Sequence, residues 1–594
     1  MGPGAGPVPG AGRGPVARVT RARLRGRRTV AVVALVGLAA AVAVAARSGP
    51  DTTPERLAQR FAAAWSRGDY RAMYNDIDIT SQRAYSLERF AAAYRDSDAT
   101  ATTLAGGRTA ARARPGPGAT VAVATRVQTR AFGAVAGAFS LPVRGHGSGA
   151  RIVWSPWLSF PGVREGEVLR RRTVLAPRAQ LLARDDTVLA TGPAAPGGGQ
   201  RRSALPAAAP IVGVLGPIPS ADARRRRALG YPPGARVGID GLELTFEERL
   251  AGMPGGELRA GRRVLAASNP RPGSAVHTTI GPALQSVAVS ALGTRLGAVV
   301  ALTPATGEIL ALAGIPLSGL QPPGSTFKMI TATAALEAHL ATLSTRFADQ
   351  TQATLSGVTL RNANGESCGG TLLQAFASSC NSVFAPLGAR VGGARLVDTA
   401  HRFGFGEPPG IPGAATSTLP AAGRIGDDLA VGSTAIGQGE VQASALEMAL
   451  VAATIGMGGQ RPRPTLALGG GRAPVRATSP LVARMVGRMM LAVVRQGTGQ
   501  AAAIPGVRVA GKTGTAELHS STCTPADTTA PAGSSSCAGA SDPTNTDAWF
   551  AAYAPAGHPR IAVAVLLVGD GAGGDTAAPV ARQVLQGAVG QRAR

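Results

Sequence analysis

A single long apolar run near the start of the chain predicts a membrane segment. Residues 29–46 carry no charged side chain, and residues 1–28 before them hold seven Arg and no acidic residue. Eighteen helical residues span about 27 Å, close to the roughly 30 Å hydrocarbon core of a bilayer. Because Arg is dense before the run and sparse after it, we expect a single-pass anchor in the cell membrane, with its tail cytoplasmic and the remaining chain extracellular. A cleaved signal peptide is the alternative, since small residues near Ala43 resemble a cleavage site, and it too exports the chain.

Residues 51–157 combine a helical pattern with a strand pattern. Apolar residues recur at near-helical spacing in the first part, namely Leu57, Phe61, Trp65 and Tyr70. A second amphipathic stretch follows at 86–96, and alternation over 120–132 and 148–157 predicts strands. We expect a small α+β domain in which two helices precede a curved sheet, with the aromatic stripe as its core.

Residues 158–275 are richer in Gly, Pro and Arg. Turn signals recur in this region, at Pro161-Gly162, Pro233-Gly234 and Pro254-Gly255. We expect an extended linker domain with little compact core. The run Arg224 to Arg227 is interpreted as a solvated face, and contact with an anionic lipid or polymer is the alternative.

Residues 276–594 have the pattern of an enzyme domain. Two apolar stretches, 296–304 and 308–314, predict an antiparallel hairpin. Three further strands and a closing helix are predicted near the end, at 507–518, 547–554, 560–570 and 577–589. Mostly helical segments lie between the two strand groups, which predicts an antiparallel sheet against a helical half. Residues 519–546 form a Ser-, Thr-, Pro- and Gly-rich insertion that is expected to be a loop.

The composition is that of a multidomain globular protein whose cations are almost all Arg. The chain has 594 residues, 45% of them hydrophobic and 16% charged, and a formal net charge of +27. Such a charge suits nucleic acid, an anionic membrane face or an acidic polymer. Of the 61 basic residues only Lys328 and Lys512 are Lys. Because Lys, unlike Arg, can lose its proton in a desolvated site, both lysines become candidates for chemistry.

The four cysteines predict disulfides and no metal site. Export makes disulfides possible, and Cys523 with Cys537 is the pair expected first because the two lie close together in one loop. Cys368 with Cys380 is the complementary pair. No CxxC or HExxH pattern occurs and the six His are scattered, so no zinc ligand set is predicted.

A first short motif pairs a hydroxyl with a lysine. Ser325 and Lys328 stand three apart where Pro323-Gly324 ends a loop and a helix is predicted to begin. Residues at this spacing share a helix face, and a partly desolvated Lys can serve as base toward a nucleophilic hydroxyl. The amino end of a helix also stabilises a developing oxyanion.

Two more motifs supply polar groups for a peptide substrate. Ser379 and Asn381 lie between helical stretches, where Ser379 could relay a proton and the Asn381 amide could hold a peptide carbonyl, with a helix cap as the alternative. Lys512-Thr513-Gly514-Thr515 lies in a predicted strand. Gly514 would let a substrate backbone approach, and Lys512 with the Thr hydroxyls could bind a carboxylate. An ordinary strand Gly beside a surface Lys is the alternative, but it does not explain why this Lys is not Arg.

The order S-x-x-K, S-x-N, K-T-G resembles the signature of penicillin-recognising serine enzymes. From about residue 160 to 590 the chain is similar to class B penicillin-binding proteins, also through four shorter segments: 238–243, 306–311, 437–440 and 548–550. Residues 51–150 resemble the cone-shaped nuclear-transport-factor-two-like domain of the methicillin-resistance type. Arg178-Ala179 departs from the Arg-Gly pair that usually opens the first linker strand of this family.

The resemblance implies a multidomain α+β D,D-transpeptidase that crosslinks peptidoglycan stem peptides. It implies that Ser325 attacks the penultimate D-Ala, that Lys328 is its base, and that Ser379 passes the proton to the leaving amine with help from Lys512. It also assigns the N–H groups of Ser325 and Thr515 to the oxyanion hole, and the hydroxyls of Thr513 and Thr515 to the terminal carboxylate.

The same resemblance implies partners and rivals. β-Lactams would acylate Ser325, a separate membrane polymerase would supply glycan strands, and neither a cofactor nor nucleic acid is expected. A serine β-lactamase, a D,D-carboxypeptidase and a non-catalytic β-lactam receptor or scaffold remain alternatives.

Overall fold

The computed structural model describes residues 53–194, 198–517 and 545–590. The predicted membrane run at 29–46 and the expected pair Cys523–Cys537 lie outside these ranges. Within them, no helix has both the length and the apolar character needed to cross a bilayer.

The amino-terminal region places four helices before an antiparallel sheet. The helices are α1 (Thr53–Arg67), α2 (Tyr70–Asn75), α3 (Ile79–Ala84) and α4 (Leu87–Ala101). The strands are β1 (Thr103–Ala110), β2 (Arg114–Pro115), β3 (Thr120–Thr129), β4 (Gly133–Arg144) and β5 (Arg151–Ile152). The sheet order is β1-β3-β4-β5, with β2 also paired to β3. Asp69, Asp78 and Ser86 each cap the helix that follows. The first predicted helical stretch is divided into α1 and α2, the second is confirmed as α4, and α3 was not predicted.

Aromatic side chains form the core of this region, as the spacing predicts. Phe61 and Trp65 are buried, and the rings of Trp65 and Phe139 meet edge to face at 5.0 Å. The predicted strand at 148–157 is largely wrong. Only Arg151–Ile152 pair as a strand there, and Pro156 begins a short 3-10 helix because it lacks the N–H that a ladder requires.

The linker region consists of short strands and helices. The strands are β6 (Leu169–Val174), β7 (Leu181–Leu182), β8 (Val188–Ala190), β9 (Leu215–Pro217), β10 (Arg236–Gly238), β11 (Gly255–Ala260), β12 (Arg263–Ser268) and β13 (Val276–His277). The helices are α5 (Ala209–Val212), α6 (Ala223–Ala228), α7 (Gly241–Thr245) and α8 (Glu247–Ala251). Its apolar residues divide between neighbours: Leu258 joins the amino-terminal core, and Leu181, Ile211 and Leu250 join the core of the carboxyl-terminal region.

Buried ion pairs hold the linker together. Arg178 contacts Glu243 and Glu247 at 2.7 Å each, although Ala179 stands where the family usually has Gly. The prediction of a solvated face for the Arg run is wrong at Arg226, which is buried 3.9 Å from Glu247. A buried cation needs such a counter-ion. Because Glu247 lies 21 residues further along the chain, the run of Arg alone does not reveal the pairing.

A five-stranded antiparallel sheet forms the centre of the carboxyl-terminal region. Its strands are β14 (Gly297–Leu302), β15 (Ile309–Gly314), β22 (Ala510–Glu517), β23 (Thr546–Ala554) and β24 (Ile561–Leu567), in the order β15-β14-β24-β23-β22. Helices α9 (Pro282–Leu292) and α17 (Ala577–Gly590) pack on one face. The five predicted strands and the closing helix are confirmed.

The helical half covers the other face of this sheet. Its helices are α10 (Lys328–Glu337), α11 (Leu372–Ala377), α12 (Asn381–Val391), α13 (Gly393–Phe403), α14 (Asp428–Ala435), α15 (Ala445–Gly456) and α16 (Pro480–Gln496). Short strands accompany them: β16 (Arg346–Gln350), β17 (Gln352–Leu355), β18 (Val358–Arg361), β19 (Cys368–Thr371), β20 (Gln460–Arg461) and β21 (Val475–Arg476). Helix α15 is apolar around nearly its whole circumference and is buried against β23 and β24, as a central helix must be.

Candidate active site

Ser325 lies in a one-turn 3-10 helix, Gly324–Phe327, that leads into α10. Gly324 has φ of +51°, and a Cβ there would stand 2.7 Å from the carbonyl oxygen of Thr515. Only Gly tolerates both conditions, so the turn fits directly against the edge strand β22. The sequence predicts an α-helix from Ser325 onward, whereas the regular α-helix begins at Lys328.

The amine of Lys328 is fully buried and lies on the Ser379 turn. Its Nζ donates hydrogen bonds to the Ser379 carbonyl oxygen at 2.6 Å and to Asn381 Oδ1 at 2.7 Å. The Ser379 hydroxyl lies 3.4 Å away. Among the described residues, the Ser325 hydroxyl forms no hydrogen bond with Lys328 or with any other group.

The Ser379 turn is fixed in an unusual backbone conformation. Ser379 has φ of +60°, a left-handed conformation that is costly for a residue with a side chain. Its neighbour Cys380 forms a disulfide with Cys368 on β19, which confirms the complementary pairing expected from the sequence. Asn381 Nδ2 donates to the Arg361 carbonyl oxygen at 2.9 Å. The turn is therefore held from two strands as well as from the end of α11.

Lys512 reaches the same hydroxyl from the sheet. Its buried Nζ donates to Ser379 Oγ at 2.8 Å and to the Thr513 carbonyl oxygen at 3.0 Å. Neither Lys512 nor Lys328 forms an ion pair with a carboxylate of the described residues. The Ser379 hydroxyl thus lies between the amines of the chain's two lysines.

Burial lowers the pKa of both lysines, and the charge of Lys512 lowers that of Lys328 further. Desolvation, followed by the positive charge of Lys512, lowers the pKa of Lys328 well below its usual range. Desolvation lowers the pKa of Lys512 to about 7. A site with two such amines favours one of them neutral and one protonated near neutral pH.

The remaining predicted residues line β22. Thr513 Oγ1 lies 2.6 Å from Thr498 Oγ1, and Thr515 Oγ1 accepts the Gly573 N–H at 3.3 Å. A Cβ on Gly514 would stand 2.7 Å from the Pro323 carbonyl oxygen. Gly514 is therefore required by the close approach of the Ser325 turn, and the approach of a substrate backbone to it stays a prediction.

Two residues near the site were not identified from the sequence. Asn362 is buried just after β18 and links the end of β16 to α12, accepting the Ser382 N–H at 2.8 Å and donating to the Gln350 carbonyl oxygen at 2.7 Å. No local pattern marks it. Thr498 stands between Gly497 and Gly499, a turn signal that could have drawn attention to it.

Comparison with known proteins gives the family of this arrangement. Residues 297–586 match the family model described as penicillin binding protein transpeptidase domain, and residues 201–278 match the penicillin-binding protein dimerisation domain. The peptidoglycan D,D-transpeptidase PbpA of Mycobacterium tuberculosis strain H37Rv is 35% identical over 387 residues, which cover 54% of this chain and 73% of that protein. This chain belongs to the penicillin-binding protein transpeptidase family. The PbpA of Mycolicibacterium smegmatis is also 35% identical, over 61% of this chain and 81% of that protein.

Solved structures agree with this family. The crystal structure of PBPA from Mycobacterium tuberculosis has a TM-score of 0.51 and 29% identity and covers 69% of this chain and 99% of that one. Its penicillin G acyl-enzyme complex has a TM-score of 0.52 and 30% identity, with coverage of 70% and 99%. The predicted family and fold are confirmed: a serine-type transpeptidase domain that follows a dimerisation domain.

Proposed function

We propose that this chain is a peptidoglycan D,D-transpeptidase that joins stem peptides through an acyl-enzyme on Ser325. The observation that carries the proposal is the placement of the Ser379 hydroxyl between the two lysine amines, 2.8 Å from Lys512 and 3.4 Å from Lys328. This cluster lies beside the turn that carries Ser325, and that turn packs against the edge strand β22. The names of the mycobacterial relatives, peptidoglycan D,D-transpeptidase, support the same activity.

Lys328 is suited to act as the base in its neutral form. A neutral amine has two N–H groups and one lone pair, and its two shortest contacts are both to acceptors, at 2.6 and 2.7 Å. Both N–H groups are then used, and the lone pair remains to take the Ser325 proton. As that proton moves to Nζ, Ser325 Oγ forms a bond to the carbonyl carbon of the penultimate D-Ala.

Lys512 is suited to the opposite state. An ammonium has three N–H groups, and two of them are used on Ser379 Oγ and the Thr513 carbonyl oxygen. The protonated amine favours a substrate carboxylate and polarises the Ser379 hydroxyl. When the bond to the terminal D-Ala breaks, Ser379 donates its proton to the leaving nitrogen and recovers one from Lys328, which holds the proton taken from Ser325.

The second half of the reaction restores the enzyme. The amine of a neighbouring stem peptide attacks the acyl carbon and gives a proton through Ser379 to Lys328. Lys328 returns this proton to Ser325 Oγ, which leaves as the new amide forms. The backbone N–H groups of Ser325 and Thr515 stabilise the oxyanion in both halves. A β-lactam acylates Ser325 in the same way, but its leaving nitrogen is part of the opened ring and stays attached to the acyl group.

The test uses the purified chain, wild type and Ser325→Ala, with a fluorescent penicillin and a stem-peptide donor and acceptor. We expect a stable adduct of one penicillin per wild-type chain by intact mass, none on the variant, and crosslinked dimer peptide as product. Rapid turnover of penicillin would identify a β-lactamase, and hydrolysed peptide alone a D,D-carboxypeptidase. Acylation without any peptide product would identify a receptor or scaffold.

The proposal extends to the domain organisation and location. Residues 51–157 form a domain like that of the methicillin-resistance type. Four helices that precede an antiparallel sheet, with Trp65 and Phe139 in the shared core, support this proposal. Residues 158–275 and 276–594 form the linker and the transpeptidase domain. The run 29–46 anchors the chain in the cell membrane with the transpeptidase outside, where a separate glycan polymerase supplies strands. Protease treatment of intact cells should remove the transpeptidase and leave a short membrane-bound fragment, and protection of the whole chain would refute this placement.

A further inference from the structure

Thr498 connects the two sides of the active site through a single loop. It follows α16 and its hydroxyl oxygen lies 2.6 Å from Thr513 Oγ1 on β22. Its backbone N–H donates to the Ala377 carbonyl oxygen at 3.1 Å, at the end of the helix that precedes Ser379. One residue therefore contacts both the strand of the K-T-G motif and the segment that leads into the Ser379 turn.

Close backbone packing fixes the position of this loop. A Cβ on Gly497 would stand 2.2 Å from the Ala377 carbonyl oxygen, and a Cβ on Gly574 would stand 2.4 Å from the Thr498 carbonyl oxygen. Neither contact leaves space for a side chain. Thr498 is therefore held from two directions while its side chain stays exposed, whereas Thr513 is only 5% exposed.

We propose that Thr498 is a positioning residue for the terminal carboxylate of the substrate, acting through the Thr513 hydroxyl. The inference rests on the proposed function, which places that carboxylate beside Thr513 and Thr515. A Thr hydroxyl has one proton and rotates freely unless a partner fixes it. When Thr498 donates to Thr513, the Thr513 proton is directed toward the next acceptor, and such a chain strengthens each bond in it.

Thr515 shows the same arrangement with a different partner. Its hydroxyl oxygen accepts the Gly573 N–H at 3.3 Å, so its own proton also remains available to a ligand. When Thr498 donates to Thr513, both Thr hydroxyls of the motif have an oxygen that accepts a hydrogen bond from the protein. Two donors then face the two oxygens of one carboxylate, with the Lys512 amine close behind them.

The test compares acid and ester forms of one ligand, because a structural effect on the site would change both equally. The full chain is acylated with benzylpenicillin and with its methyl ester, in the wild type, in Thr498→Val and in Thr498→Ser. For Val, we expect the second-order acylation constant of the acid to fall about five- to tenfold, mainly in the binding step, because about 1 kcal/mol of charged hydrogen bonding is lost. The ester should change less than about twofold and Ser should restore the acid rate.

An equal loss for acid and ester, no loss, or failure of Ser to restore the rate would overturn the role of Thr498. Absence of Ser325-dependent acylation in the wild type would overturn the proposed function itself, and the two results are therefore distinguishable. The thermal unfolding midpoint of each variant is measured in parallel. If Val prevents folding, Thr498→Ala takes its place with the same acid-to-ester readout.

Discussion

Replacing Lys328 with Arg tests whether this residue acts as a base or only as a positive charge. Arg retains the charge and can donate to the Ser379 carbonyl oxygen and Asn381 Oδ1, yet it stays protonated at any accessible pH. If the neutral Lys328 amine takes the Ser325 proton, the variant has no acceptor for it.

The expected size of the effect follows from the role of Lys328 as a base and from its burial. A positioned general base contributes about 10²- to 10⁴-fold to rate, so acylation by penicillin should slow by about that factor. Lys328 is fully buried, and the bulkier guanidinium adds an overpacking cost of about 1–3 kcal/mol that lowers the unfolding midpoint as well. The rate is measured by fluorescent penicillin labelling and intact mass, with thermal unfolding as the folding control.

Lys512→Arg is the matched control, because it makes the same change at the other lysine. With its charge fixed, this variant should keep most of the acylation rate. The wild-type rate should fall above pH about 7, where Lys512 loses its proton, and the alkaline limb should move to higher pH in Lys512→Arg. Acylation of Lys328→Arg within about tenfold of wild type would refute the assignment of the base.

Three further predictions concern the surroundings of the site. Changing Cys368 and Cys380 together to Ser should lower the free energy of unfolding by about 3 kcal/mol and slow acylation, because the Ser379 turn loses its link to β19. An unchanged acylation rate would show that the other contacts of the turn hold it in place. Gly514→Ala should lower the free energy of unfolding by about 1–3 kcal/mol through overpacking against the Pro323 carbonyl oxygen, and should slow acylation by fluorescent penicillin. A fully active variant would contradict the tight contact. Burial raises the pKa of Glu447 to about 8, so its carboxyl keeps a proton in the folded state that the unfolded chain has lost above pH about 4.5. The free energy of unfolding, measured with urea, should therefore fall as the pH rises from about 4.5 to 8. Glu447→Gln should remove this part of the pH dependence.

Local patterns predicted the sheet and the motifs of this chain well. The strands that contain Lys512 and Trp549 are confirmed from the alternation and apolar runs that define them. The three motifs were found because each is short and contains residue types whose chemistry is specific. Their meeting around Ser379 was implied by the family resemblance and not by any local rule.

What the sequence did not reveal depends on contacts between distant segments. The sequence places Arg226 in a run of four Arg that predicts a solvated face, and its burial depends on Glu247, which only the fold brings near. Asn362 forms hydrogen bonds with Gln350 and Ser382 and so joins three segments that are separate in the sequence, which no local pattern can indicate. The 3-10 turn at Ser325 reflects the close approach of Gly324 to Thr515, a constraint set by β22.

The division of the linker's apolar residues between two cores has a practical consequence for handling the protein. Leu181, Ile211 and Leu250 pack into the same buried cluster as Phe327 and other residues of the helical half. A fragment cut at the start of the transpeptidase region would expose the surface that these side chains cover, and exposed apolar patches promote aggregation. Fragments for assay or crystallisation should therefore begin before residue 181, so that the catalytic half keeps the part of the linker that completes its hydrophobic core.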